Sequence, residues 1–183
     1  MNPSQPFPPL DCSCKDVFPF RLACPSFVYR ADYADNVRCL APFVDEIELL
    51  FFESRFPDSL PSSTLIRELV QLARQGGISY NIHLPTDIHA GHPHDAVRHA
   101  AVAILEKFID RCKPLDPSSF TLHLNRKHCD PDPAGWQTRT AETLAAVLAD
   151  RLAGRRISVE NIGYDFALAV PVVEGLDLSV CMD

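Results

Sequence analysis

Two histidines and two acidic residues occupy matching places in the 183-residue chain. His83 lies in Tyr80-Asn81-Ile82-His83-Leu84, and His123 in Phe120-Thr121-Leu122-His123-Leu124-Asn125. Glu160 lies in Ile157-Ser158-Val159-Glu160-Asn161, and Asp183 closes Leu178-Ser179-Val180-Cys181-Met182-Asp183. Each run is short and β-rich, and each of these residues falls near its carboxyl end. Side chains along a strand alternate between two faces. Tyr80, Ile82 and Leu84 therefore share one face, while Asn81 and His83 share the other, and the remaining runs divide in the same way. Neutral imidazole supplies a lone pair and carboxylate supplies charge. Two of each at one place form a shell suited to Zn²⁺, Mn²⁺ or Fe²⁺. Taken singly, each residue has a plainer role: a strand-end histidine can be a hydrogen-bonded core residue, and Asp183 can be solvated. The matching phase of I-H-L and L-H-L on consecutive strands argues for a shared site. Glu160, in an otherwise apolar strand, costs free energy unless a cation or hydrogen bonds offset its burial.

Such a site needs strands whose ends lie together. One grammar repeats along the chain: a β-rich run, a loop, then a helix-length amphipathic segment. The runs are Phe20–Phe27, Glu46–Glu53, Ser79–Pro85, Phe120–Asn125, Ile157–Ile162 and Leu178–Asp183. Between them, Leu65, Leu69, Leu72 and Ala73 make one helical stripe. Val97, Ala101, Ile104, Leu105 and Phe108 make a second, and Leu144, Val147, Leu148 and Leu152 a third. Ser62 or Ser63 can cap the helix that Gly76-Gly77 ends. Pro114 and Pro117 stop the next one. Strict alternation implies parallel strands joined by right-handed crossovers. Two architectures fit, an open doubly wound sheet and a (β/α)₈ barrel. Neither G-x-G-x-x-G nor G-x-x-x-x-G-K-[ST] occurs, which weakens the first. A parallel sheet covered on both sides should also be apolar on both faces. Strands with one polar face suit a barrel, whose interior opens into an active site at the carboxyl ends of the strands. The expected fold is α/β, a (β/α)₈ barrel of which six strands and five helices are present.

Other candidates sit on the same rim. Glu53 ends the second strand and can act as a catalytic or substrate-binding carboxylate. Arg55, Arg126 and Lys127 follow the second and fourth strands and can hold a phosphate group. His89, His92 and His94 lie in Ile88-His89-Ala90-Gly91-His92-Pro93-His94-Asp95; they can form a metal site of their own, but glycine and proline make this a flexible rim loop where they contact substrate or only water. Cys129, close to Lys127 and His128, could have a lowered thiol pKa, but no triad spacing accompanies it.

Composition narrows the function classes. The hydrophobic fraction is 46% and the charged fraction 22%, values that exclude disorder across the whole chain. No apolar run is long enough to span a membrane. The formal charge of −7 argues against a large basic surface for nucleic acid. The seven cysteines are odd in number and scattered, which suits reduced thiols and a cytoplasmic location. Residues 1–18 read as a disordered Pro-rich tail that is neither signal nor transit peptide. Cys12 and Cys14 in that tail have no second pair at a metal-finger spacing. Residues 19–183 read as the barrel domain.

The order His, His, Glu within V-E-N, then Asp, on the third to sixth strands resembles the xylose-isomerase-like TIM-barrel superfamily. That superfamily includes sugar isomerases and epimerases and the endonuclease IV type of AP endonuclease. The resemblance covers roughly residues 19–183. The phrases F-P-F-R-L, L-A-P-F-V-D-E-I-E-L-L-F-F-E, N-I-H-L-P-T-D and L-H-L-N are similar to its cobamide-remodelling phosphodiesterase branch. The superfamily resemblance implies a divalent metal held by Glu160 and Asp183. Its endonuclease-like pattern adds His83 and His123. The branch implies a small-molecule substrate, a cobamide, and metal-assisted hydrolysis of its nucleotide-loop phosphodiester. Glu160 would bridge two ions in a binuclear site, and Arg126 or Lys127 would offset phosphate charge. The sixth-strand motif of the superfamily continues past the aspartate, and a full barrel typically has about 250 residues. The expectation is therefore a barrel truncated at strand six and inactive alone. A sugar or sugar-phosphate isomerase, abasic-site DNA cleavage and a non-catalytic ligand-binding barrel are the alternatives.

Overall fold

The computed structural model describes residues 7–182 apart from 9, 57, 150 and 161. Its strands are β1 (Ala23–Pro25), β2 (Glu46–Leu50), β3 (Ser79–His83), β4 (Phe120–His123), β5 (Ile157–Glu160) and β6 (Ser179–Cys181). The helices between them are α1 (Tyr33–Leu40), α2 (Ser63–Gly76), α3 (Asp95–Cys112), α4 (Pro133–Leu148) and α5 (Val170–Gly175). The six strands join in one sheet in chain order. Pairing is parallel between β1 and β2, β4 and β5, and β5 and β6. Parallel neighbours in chain order, each separated by a helix, define an incomplete (β/α) TIM barrel, as the alternation predicts.

The chain divides into two compact units. The first holds the described residues of Met1–Leu50 together with Pro61–Ile82 and Arg111–Ser118. Its core combines Val37 and Leu40 of α1, Ile47 and Leu49 of β2, Leu69 of α2, and Tyr80 and Ile82 of β3, all fully buried. The opposite strand face is polar and internally paired. Ser79 donates to the Glu46 carboxylate at 2.6 Å, and Asn81 Nδ2 donates to Glu48 Oε1 at 3.4 Å. Asp32 caps α1 by accepting from Asp35 N at 2.8 Å, and Ser62 caps α2 by accepting from Leu65 N at 3.1 Å. Gly77 ends α2 in the left-handed region with φ 60°, where a side chain would be strained. Lys15 donates to the carbonyls of Ala41, Gly76 and Gly77, so one ammonium sits at the C-terminal ends of α1 and α2. Ser13 and Asp16, like Lys15, belong to the segment read as a tail, and they hydrogen-bond to Pro42 O and Asp45 Oδ1.

The second unit comprises Phe51–Leu60, His83–Asp110 and Ser119–Asp183 in its described residues. Leu105 of α3, Leu122 of β4, Leu144 and Val147 of α4, and Val159 of β5 have no exposed surface. The third predicted stripe ends early: α4 stops at Leu148, and Leu152 lies beyond it. Arg151 in between is held by Asp110 at 2.7 Å and Glu106 at 2.8 Å, both on α3. Ala149 has already left the helical region, with φ 19° and ψ −120°, which apolar spacing alone does not register.

Candidate metal centre

The in-register pairing of β4 with β5 places His123 directly beside Glu160. Adjacent partners in a sheet have Cβ atoms about 5 Å apart, so both side chains reach one point. His83 ends β3, and the next residue fixes its level: Leu84 N donates to Thr121 O at 2.9 Å. The alternation predicted for these strands holds. Tyr80, Ile82, Phe120, Leu122, Ile157 and Val159 are buried on one face, with His83, His123 and Glu160 on the other.

His83 Nε2 lies 3.2 Å from His123 Nε2 and 3.2 Å from Glu160 Oε2. His123 Nε2 lies 2.9 Å from the same carboxylate oxygen. The imidazoles meet edge to face, with ring centres 4.7 Å apart. Both rings and the carboxylate are largely shielded, at 6%, 14% and 13% side-chain exposure. His83 Nδ1 donates to Leu84 O at 2.8 Å, so in the neutral ring Nε2 is the nitrogen that carries the lone pair. That lone pair faces another ring nitrogen and an anionic oxygen. A proton on His123 Nε2 satisfies only one of these close approaches, whereas a cation satisfies all three atoms together. The donor set therefore fits a divalent transition ion. Among the described residues, this is the one group of three or more such side chains whose ligand atoms all lie within 4.8 Å of one another. Asp183, the fourth predicted ligand, lies outside the described residues.

The rim residues fall differently. Glu53 pairs with the Arg55 guanidinium, which also lies 5.0 Å over the Phe56 ring. Arg126 and Lys127 are exposed in the loop after β4, where Lys127 N donates to Asn125 Oδ1 at 2.9 Å. Two residues passed over in the sequence reading hold the loop after β2. Thr86 N and Oγ1 both donate to Phe52 O at 2.9 Å. Asp87 accepts from Ser54 N and Oγ at 2.9 and 3.0 Å. The T-D of N-I-H-L-P-T-D is thus a clamp that seats Phe52, whose ring centre lies 6.0 Å from His83. Cys129 is buried, and desolvation pushes its thiol pKa up, which removes the lowered pKa considered for it. All seven cysteines are free thiols.

The loop carrying His89, His92 and His94 also differs from its reading as flexible. Thr143 Oγ1 donates to Ala90 O at 2.9 Å, and Arg139 Nε donates to Gly91 O at 3.1 Å. A Cβ on Gly91 would lie 2.4 Å from Trp136, so glycine serves close packing on α4.

A parallel sheet in chain order with a His-His-Glu cluster at its strand ends defines the class of fold, an incomplete TIM barrel with a candidate metal site. The match to the family model is specific: the chain belongs to the xylose isomerase-like TIM barrel family, matched over residues 44–183. No curated protein matches the sequence. Among solved structures, the D-psicose 3-epimerase of Clostridium cellulolyticum H10 superposes with TM-score 0.71 at 18% identity, over 90% of this chain and 63% of that one. A D-tagatose 3-epimerase-like protein gives 0.72 at 15% identity, over 90% and 65%. Endonuclease IV from Thermus thermophilus gives 0.62 at 18% identity, over 88% and 61%. At these identities the likeness is one of fold. The chain spans 61–65% of the length of these three structures. No helix among the described residues is long and apolar enough to cross a membrane.

Proposed function

We propose that the whole barrel is a metal-dependent phosphodiesterase that hydrolyses the nucleotide-loop phosphodiester of a cobamide. The observation that carries this reading is the composition of the cluster. Two imidazoles and one carboxylate hold a borderline cation while leaving it net positive charge, which suits a phosphate diester. When bound, such an ion polarises the phosphoryl group and makes water a better nucleophile. His83 and His123 supply nitrogen ligands, and the bond to Leu84 O keeps the His83 ring oriented. Glu160 is the anionic ligand and can also accept a proton from attacking water. Asp183 completes the set. Arg126 and Lys127 offset phosphate charge on the rim, and Arg55 can join them only by leaving its pairing with Glu53. The motif phrases around β1 to β4 support the cobamide as substrate, and seven free thiols support the cytoplasm as its compartment.

Sugar epimerisation is the competing reading, supported by the two epimerase folds. Moving a proton at carbon calls for a second carboxylate beside Glu160, and Glu53 is engaged by Arg55. Incubating the complete barrel with a cobamide and Zn²⁺, Mn²⁺ or Fe²⁺, and reading corrinoid products by mass, separates the two. Cleaved corrinoid is the expected result. Intact cobamide with all three metals, together with turnover of a ketose to its epimer, overturns it.

A further inference from the structure

A second cluster of imidazoles lies on the loops that follow β3 and β4. The ring centre of His92 is 4.2 Å from that of His128, His128 is 5.6 Å from His89, and His89 is 6.4 Å from His92. His94 adds a fourth ring 5.3 Å from His92. Imidazoles bound through nitrogens about 2.1 Å from one tetrahedral ion have ring centres about 5 Å apart. The three separations of His89, His92 and His128 bracket that spacing, so modest ring movements would match the triangle to one cation. His89 Nδ1 is buried and finds no hydrogen-bond partner among the described residues. A buried ring nitrogen without a partner is costly, and a metal ion would relieve it. The loop is also rigidly seated, through Ala90 and Gly91 on α4, so the rings are presented by a fixed backbone.

The geometry points to a second transition-metal site, formed by His89, His92 and His128, that takes Zn²⁺ or a similar borderline ion and is separate from the strand-end cluster. The nitrogens of the three rings do not converge on one point in this structure, so the site requires the rings to turn about their Cβ–Cγ bonds. His92 makes the largest adjustment, because its Nδ1 accepts from His94 N at 3.0 Å and exchanges that bond for the ion. Burial, and then the neighbouring His128, hold the His89 and His92 rings below the ordinary histidine pKa, so both are neutral and able to ligate at neutral pH. The site stands whether or not the proposed reaction is the right one.

The test uses the full metal-free chain, titrated with ZnCl₂ and followed by imidazole ¹⁵N resonances and by calorimetry. The expected result is that the resonances of His89, His92 and His128 move together, and that the His83→Ala chain still binds an ion. In that background His128→Gln should weaken the remaining binding at least about tenfold. His92→Gln should do the same and serves if His128→Gln does not fold. Three ring resonances unmoved at saturating ZnCl₂ overturn the site, as does unchanged affinity in either folded variant.

Discussion

The two histidine clusters are built on different principles. In the first, His123 and Glu160 are register partners on β4 and β5, and His83 ends the preceding strand. Sheet geometry alone brings their donor atoms within 4.8 Å of one another. In the second, His89, His92 and His128 stand on loops, and their positions depend on how Gly91 meets Trp136 and how Arg139 reaches Gly91 O. The first is preorganised by the backbone of the fold. In the second, the loop backbone is held by one packing contact and two side-chain hydrogen bonds, and the rings must still turn to converge. The strand-end cluster should accordingly be insensitive to changes in α4, and the loop cluster should fail with them.

The largest effect belongs to the strand-end cluster. Glu160→Gln keeps shape and removes the only charge among its three described ligands, so metal affinity there should fall by about a hundredfold or more. Far-UV circular dichroism should stay unchanged. Metal titration of the variant checks it, and unaltered affinity would show that Glu160 is not a ligand. A smaller effect is expected at the loop. Gly91→Ala puts a Cβ 2.4 Å from Trp136 and 2.6 Å from Thr140 Oγ1. Overpacking of this kind costs about 1–3 kcal/mol. A lower urea midpoint, displaced imidazole resonances for His89 and His92, and unmoved ones for His83 and His123 are the expected pattern. Equal displacement of both sets would contradict the separation of the two clusters.

The same contrast decides what could be read from the sequence. Strand periodicity is two, and a residue's face follows from its parity, so His83, His123 and Glu160 were legible as a group from the sequence. The fold was legible for a related reason: β-rich runs alternate with stripes of helical spacing, and Ser62 and Gly77 cap α2 where the sequence expects. The loop cluster was legible only in part, as a set of His89, His92 and His94. His128 has no periodic relation to His89 and His92, and only the seating of the loop on α4 brings the rings together. Thr86 and Asp87 were missed likewise, since their partners lie on the loop after β2. The end of α4 falls earlier than the stripe implies, because Leu152 continues an apolar spacing after the backbone has left the helical region at Ala149.

The smallest predicted effect traces the support of the loop cluster one step further. Asp132 caps α4: its Oδ1 accepts from Gly135 N at 2.9 Å and its Oδ2 from Arg139 Nη1 at 3.1 Å. Arg139 in turn donates to Gly91 O, so the carboxylate holds the arginine that holds the loop. The Gly135 N–H first, and the Arg139 guanidinium second, keep the Asp132 pKa below its ordinary 3.8. A carboxyl whose folded pKa is depressed binds fewer protons in the native state than in the unfolded one. Its contribution is therefore full above pH 3.8 and is lost as pH falls through the lower folded value. Asp132→Asn should lower the urea midpoint slightly at neutral pH and flatten its decline below pH 3.8. It should also loosen the His89 and His92 resonances without touching those of His83 and His123. Parallel acid limbs in the two proteins would show that Asp132 does not couple the α4 cap to the loop. The loop cluster would then rest on the Gly91 and Thr143 contacts alone.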